Sequence, residues 1–211
     1  MQTCHNEPVP LTKIDIEPDF TAVTDAAEAL MADAARRIED FVRRRKDQPI
    51  PAFVPSDARM SVAALAAVRQ SHLAPSGAFC EWGSGMGVTA CLAGQLGFDA
   101  CGIEIESDLV DAAADLAADH GLDVPFVHGS FVPEGGDHLA TDSGEFETLS
   151  LGHAPGYDEL GLDVDDFGVI YAYPWPGEEW AVENLFEHFA ARGAVLMTYR
   201  GREEIHLHRK V

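Results

Sequence analysis

Between residues 78 and 128 apolar runs too short to be helices alternate with longer amphipathic ones. "AFCEW" (78–82) and "ACGIEI" (100–105) read as buried strands, and "VPFVH" (124–128) as a third. Between them lie "MGVTACLAGQLG", a helix closed by Gly97, and "DLVDAAADLAADHG", a helix capped by Ser107 and closed by Gly121. Strands joined by crossover helices at this pitch run parallel, so the alternation predicts a doubly wound, mostly parallel α/β sheet. The first strand-to-helix turn, "CEWGSGMGV" (80–88), carries Gly83, Gly85 and Gly87. Glycine loses more backbone freedom on folding than any other residue, so three in five positions require a close approach or an unusual backbone.

The rhythm returns after residue 165 with "FGVIYAY" as a strand, "EEWAVENLFEHFA" as a helix, and "GAVLMTY" and "EIHLHRKV" as strands. Residues 132–165 interrupt it with an acidic, glycine-rich stretch read as a loop insertion. Upstream, Asn6, Pro8, Pro10 and Pro18 make residues 1–20 an extended arm. Val23, Ala27, Leu30, Met31, Ala34, Ile38, Phe41 and Val42 have helical spacing. That helix stops before "DQPIPAFVP", whose three prolines cannot continue it. Ser56 then reads as the N-cap of a second helix. The expected organisation is an N-terminal arm and amphipathic helix over 1–55, followed by the α/β domain over 56–211.

Composition narrows the partners. The 211 residues hold 36 acids against 14 bases, a net charge of −22. Such a surface repels phosphate backbones and anionic membranes, so neither nucleic acid nor membrane is expected as a partner. "RRRK" (43–46) ends the first helix, where cations complement the helix dipole. The first twenty residues lack the basic and apolar regions of a secretory signal, and no long apolar run is present, so a cytoplasmic location is expected. Cys4, Cys80, Cys91 and Cys101 form no C-x-x-C and read as reduced thiols. His206 and His208 share a strand face and, with His153 or His188, could suggest a metal; lacking a recognised ligand spacing they read as solvent-facing, and no metal is expected.

A glycine turn between strand and helix sets backbone N–H groups and a positive dipole end beside a ligand. The dinucleotide fingerprint G-x-G-x-x-G needs a small residue at its last glycine, where this chain has Val88. The spacing present is G-x-G-x-G, with Glu81 two residues before it. "CEWGSGMGV" followed by "CGIEIE" resembles the first two motifs of the class I, seven-strand, S-adenosylmethionine-dependent methyltransferases. The resemblance covers 77–131 well and 166–199 moderately.

It implies S-adenosylmethionine as cofactor. Glu81, Gly83, Gly85 and Gly87 match the family's acidic-x-G-x-G-x-G, with Ser84 inside it. Glu104, 21 residues after Gly83, stands where the family's acidic residue takes the ribose hydroxyls, with Ile105 beside it; Glu106 is the alternative. Ser130 and Phe131 stand where the adenine would be held, Ser130 replacing an aspartate. After the fourth strand, "YAYPWPGEEW" faces the methyl group in this family. Tyr173 and Trp175 offer aromatic faces to a cation, and Glu178 is the candidate base. The family's usual Asn or Asp at the start of this motif is missing. The methyl acceptor is therefore open, with an amine of a small molecule or of a basic protein segment as the expectation. "PAFVPSD" also resembles the V-P-T/S entry of a group of lysine methyltransferases.

About a dozen residues follow Tyr199, enough for one strand where the family has a helix and a hairpin. Substrate recognition is thus expected from the N-terminal helices and from 132–165, and dimerisation is possible. Two other readings remain at this point: a non-catalytic S-adenosylmethionine-binding module, and a nicotinamide-dinucleotide oxidoreductase.

Overall fold

The computed structural model describes residues 10–50, 53–140, 152–201 and 204–211. The chain opens with a short strand, β1 (Leu11–Ile14), followed by α1 (Asp25–Arg44) and α2 (Ala58–Gln70). The alternation follows as β2 (Ala78–Trp82), α3 (Val88–Gln95), β3 (Asp99–Glu104), α4 (Ser107–Asp119) and β4 (Phe126–His128). Two single-turn helices, α5 (Asp137–Ala140) and α6 (Tyr157–Leu160), lead to β5 (Val169–Ala172), α7 (Glu179–Phe189), β6 (Val195–Tyr199) and β7 (Ile205–Lys210).

The seven strands form one sheet in the order β1-β7-β6-β5-β2-β3-β4. From β6 through β4 every pair is parallel; β7 is antiparallel to β6, and β1 antiparallel to β7. The sheet grows outward from β2 through β3 to β4, then returns to β2's other side with β5. That reversal is a topological switch point, where side chains at the carboxyl ends of β2 and β5 border an open crevice.

The N-terminal stretch has a role that its sequence does not announce. Leu11 pairs with Lys210 and Ile14 with Leu207, so β1 becomes the sheet's edge strand. The single strand after Tyr199 therefore still belongs to a seven-stranded sheet. Lys210, 2% exposed, donates from Nζ to the carbonyl of Ala190 at 2.6 Å and so closes the C-terminus of α7.

Alternation along the strands divides the core between the two faces of the sheet. Phe79, Val169, Tyr171 and Met197 face α1, α2 and α3, where Leu30, Leu65 and Leu92 are fully buried. Cys80, Trp82, Ile170 and Leu196 face the other way, toward Leu185 and Phe186 of α7. In α1, Ala27, Leu30, Ala34 and Phe41 are buried as the spacing predicts, but Val42 is 53% exposed. Thr24 caps α1 by accepting from Ala27 N, and Arg43 and Arg44 lie in its last turn. The "RRRK" island thus complements the dipole, while Arg45 ion-pairs with Asp108 of α4.

Two expected caps are displaced by one residue. Asp57, not Ser56, caps α2, because its carboxylate accepts from Met60 N at 2.9 Å. Glu106 occupies the cap position of α4, with Ser107 already inside the helix. His208 is half-buried and 3.9 Å from Glu183 rather than solvent-facing. Cys80, Cys91 and Cys101 are buried free thiols, and Cys4 lies outside the described residues. Among the described residues no helix is long and apolar enough to cross a membrane.

Candidate functional site

The glycine loop shows why this sequence needs its glycines, and the reasons differ along it. All three have positive φ: +67° at Gly83, +54° at Gly85 and +68° at Gly87. At Gly87 a Cβ would also stand 2.3 Å from the Phe126 ring of β4. Gly87 is thus required by packing within the strand–helix–strand unit. At Gly83 the space is open, the nearest atom being on the Phe131 ring at 4.0 Å. A Cβ at Gly85 would stand 3.2 Å from the Phe53 ring.

The N–H groups of this loop are already engaged. Gly83 and Ser84 both donate to the carbonyl of Ile103, at 2.9 and 3.0 Å, and Gly87 donates to Ser84 O at 2.7 Å. Gly85 N donates to the Glu104 carboxylate at 2.7 Å. The opening turn of α3 is occupied as well, by Glu81, which accepts from Ala90 N at 2.8 Å. Four N–H groups of the loop, those of Gly83, Ser84, Gly85 and Gly87, are therefore spent within the chain. The first turn of α3 thus has one of its N–H groups satisfied from inside the chain, by Glu81.

Glu81 and Glu104 are both buried. Burial pushes the Glu81 carboxyl up to about 8, against the opposing pull of Ala90 N–H and the Thr89 side chain, with the nearby Glu104 charge adding to the rise. Burial also raises Glu104, although three backbone N–H groups oppose it: Glu106, Gly85 and Ile105. Glu104 Oε1 accepts from Ile105 N and Glu106 N at 2.8 and 3.0 Å. Held at three points, the carboxylate has one fixed orientation at the end of β3. Glu106, the alternative ribose ligand, also borders the cavity, without a comparable set of bonds.

These groups line a cavity of about 590 Å³ beyond the carboxyl ends of β2, β3 and β5. Of the residues expected to hold a cofactor, Glu81, Gly83, Ser84 and Gly85 line it on one side. Glu104, Ile105, Ser130 and Phe131 line another. Gly87 does not, for the packing reason above. Ser130 Oγ accepts from Val132 N at 3.0 Å, and Phe131 stacks on Trp82, ring centroids 5.2 Å apart and planes nearly parallel. Tyr173, Trp175 and the buried Glu178 border the same cavity. Tyr173 packs edge-on against Tyr199 at 4.9 Å.

The fourth side is formed by residues of the N-terminal region, part of the "PAFVPSD" stretch among them. Met31, Ala35 and Ile38 of α1, together with Phe53 through Ser56, close over the loop. Their signal in the sequence is the breadth of the apolar stripe of α1, which exceeds what the core consumes. Beside this region the buried Tyr171 hydroxyl of β5 lies 3.1 Å from Ser61 Oγ of α2 and shares a hydrogen bond with it. No described residue of 132–165 lines the cavity; residues 141–151 lie outside the described residues. The end of that insertion instead extends the sheet, Ser130 N donating to Ala154 O and Gly156 N to Ser130 O, both at 2.9 Å.

Two features mark the cavity as built for a ligand with hydrogen-bonding groups. Ser84 Oγ is buried at its edge without a hydrogen-bond partner among the described residues. Gly83 leaves open the space that any side chain would fill. Both fit a molecule laid across the loop. Among the described residues no three His, Cys, Asp or Glu side chains gather as metal ligands would.

No protein-family model matches the sequence, and neither does any curated protein. Solved structures do. A hypothetical protein from Thermus thermophilus matches at 18% identity and a TM-score of 0.50, over 77% of this chain and 92% of that one. An RNA methyltransferase from Salinibacter ruber, in complex with S-adenosyl-L-homocysteine, matches at 18% identity and a TM-score of 0.48, over 74% and 92%. An S-adenosylmethionine-dependent methyltransferase from Thiobacillus denitrificans matches at 19% identity and a TM-score of 0.40, over 75% of this chain and 53% of that one. With its switch point between β2 and β5 and its antiparallel strand beside β6, the chain has the fold of the class I, seven-strand methyltransferases.

Proposed function

We propose that this chain binds S-adenosylmethionine and transfers its methyl group to an amine. The observation that carries the reading is the electrostatics of the glycine loop. A dinucleotide's pyrophosphate needs free N–H groups and a bare helix dipole. Here the N–H groups of Gly83, Ser84, Gly85 and Gly87 are engaged, and Glu81 fills the start of α3. A ligand bringing a ribose diol and positive charge suits two buried carboxyl groups; one bringing phosphates does not. S-adenosylmethionine supplies an activated methyl group on a sulfonium centre. Glu104 would hold its ribose, Ser130 and Phe131 its adenine, and the Gly83–Gly85 turn its amino-acid end.

Methyl transfer is an in-line displacement, so the chain's contribution is chiefly to hold the acceptor in line. Tyr173 and Trp175 offer faces for a cation, and Glu178 a carboxylate for its proton. An acidic chain without cationic side chains among the described residues of its cavity does not suit a nucleic-acid acceptor.

The test is calorimetric titration with S-adenosylhomocysteine and, separately, NADH. The homocysteine compound is expected to bind and NADH not to. Glu104→Gln keeps the side chain's shape while removing its charge, and is expected to weaken binding about tenfold to a hundredfold. Binding of NADH in its place would make the chain a dinucleotide protein. Binding of S-adenosylhomocysteine without turnover on any acceptor would support a cofactor-binding module instead.

A further inference from the structure

The cavity also carries information about the acceptor, given the methyl-transfer reading on which this inference rests. Five carboxyl groups border it, those of Glu39, Glu81, Glu104, Glu106 and Glu178, and none of the described residues lining it is Lys, Arg or His. Glu104 is engaged by the glycine loop and Glu81 by the first turn of α3. Glu178, 6% exposed, stands with Tyr173 and Trp175 on the segment after β5. Val54, Pro55 and Ala58 add apolar surface to the same cavity, and the Ser61–Tyr171 hydrogen bond ties α2, which follows that segment, to β5. Above the loop, α1 is tied to α4 by Arg45–Asp108, by Arg37–Asp119 at 2.5 Å and by His120–Asp33 at 3.2 Å. A cavity of about 590 Å³ lies in the range that encloses one drug-sized ligand. With the cofactor inside, little space is left.

We infer that the acceptor is a free small molecule: a primary or secondary amine on a compact hydrocarbon body. Its nitrogen lies among Tyr173, Trp175 and Glu178, and its hydrocarbon against Val54, Pro55 and Ala58. In solution such an amine is an ammonium ion, which the carboxylate-lined cavity attracts and the two aromatic faces stabilise. The ammonium gives one proton to the Glu178 carboxylate. The freed nitrogen lone pair then forms the bond to the methyl carbon while the carbon–sulfur bond breaks, its electron pair staying on sulfur. The product is a methylated ammonium and a neutral thioether. An anionic acceptor would meet carboxyl groups with no cationic side chain among the described lining residues to answer it.

The experiment titrates protein saturated with S-adenosylhomocysteine, by calorimetry, with hexylamine and phenethylamine. Comparisons are their carboxylate counterparts hexanoate and 3-phenylpropanoate, ethylamine, and a lysine-containing hexapeptide. At least one of the two apolar amines is expected to bind tenfold or more tightly than its carboxylate counterpart, than ethylamine and than the peptide. Glu178→Gln is expected to reduce the amine-over-carboxylate preference at least tenfold. Trp175→Ala, at a half-buried position, gives a second reading of the same site should the first variant not fold. Saturation by S-adenosylhomocysteine with no binding of either apolar amine, or with equal binding of the carboxylates, overturns the inference and leaves the methyl-transfer reading standing. Preferred binding of the hexapeptide overturns it in favour of a protein lysine. Failure to bind S-adenosylhomocysteine at all overturns both.

Discussion

The two sides of the cavity are built by opposite strategies. On the glycine-loop side, main chain and carboxyl groups satisfy one another: Glu104 is held by three backbone N–H groups, and Glu81 by the first turn of α3. On the other side, aromatic and apolar side chains from residues 53–58 and 173–178 meet across the cavity. The first arrangement tolerates almost no change in backbone, because each group is fixed by several others. The second is side-chain surface on loops stiffened by prolines, where exchange alters shape without dismantling the sheet. Under the proposed reading the rigid side would hold the cofactor and the other side the acceptor.

The largest expected effect strikes the rigid side. Gly87→Val would place a branched side chain at φ +68° with its Cβ 2.3 Å from Phe126. It should destabilise the fold by about 2–6 kcal/mol in urea unfolding, from backbone strain plus overpacking. A variant with an unchanged midpoint would show that this side is not rigid.

Glu81 gives the next effect, and it depends on pH. Its carboxyl is raised from 4.5 to about 8 in the folded chain, so between these values the folded state keeps a proton that the unfolded state has released. Its contribution is therefore full below pH 4.5 and declines as pH rises through about 8. The slope approaches about 1.4 kcal/mol per pH unit within that window. Glu81→Gln, which cannot ionise, should flatten the profile when unfolding is followed across the same range. A slope that persists in the variant would trace it to other groups.

The smallest effect belongs to the acceptor side and sharpens the comparison from there. Trp175→Ala should shift stability by less than about 1 kcal/mol and leave S-adenosylhomocysteine affinity within about twofold, because the side chain is half-buried on a loop. A collapse of cofactor affinity in this variant would mean that the two sides are not separable.

Much of the rigid side is legible in the chain because its partners are close in sequence. Glu81, the glycines and Glu104 fall within one strand–helix–strand unit, so spacing alone brings them together. Even there, two assignments depend on contacts the spacing does not show. Gly87 answers to Phe126, some forty residues away, and the loop's N–H groups answer to Ile103 and Glu104 rather than to a ligand. The helix caps shift by a single residue because Ser56 and Asp57, or Glu106 and Ser107, compete for one backbone position. At α2 the Asp57 carboxylate decides by accepting from Met60 N, whereas Glu106 takes the cap position of α4 without a side-chain bond to the helix.

The sequence by itself determined the parallel sheet, the crossover helices, the glycine turn and the carboxyl groups beside it. These follow from periodicities and spacings that act over a few turns of chain. Only the tertiary structure decided that residues 11–14 complete the sheet against residues 207–210, and that α1 and residues 53–56 close over the cavity. Four residues reading "LTKI" have no local signal strong enough to mark a strand. Their backbone groups find partners only once β7 is in place, and the apolar breadth of α1 has no destination until the sheet presents the crevice beneath it.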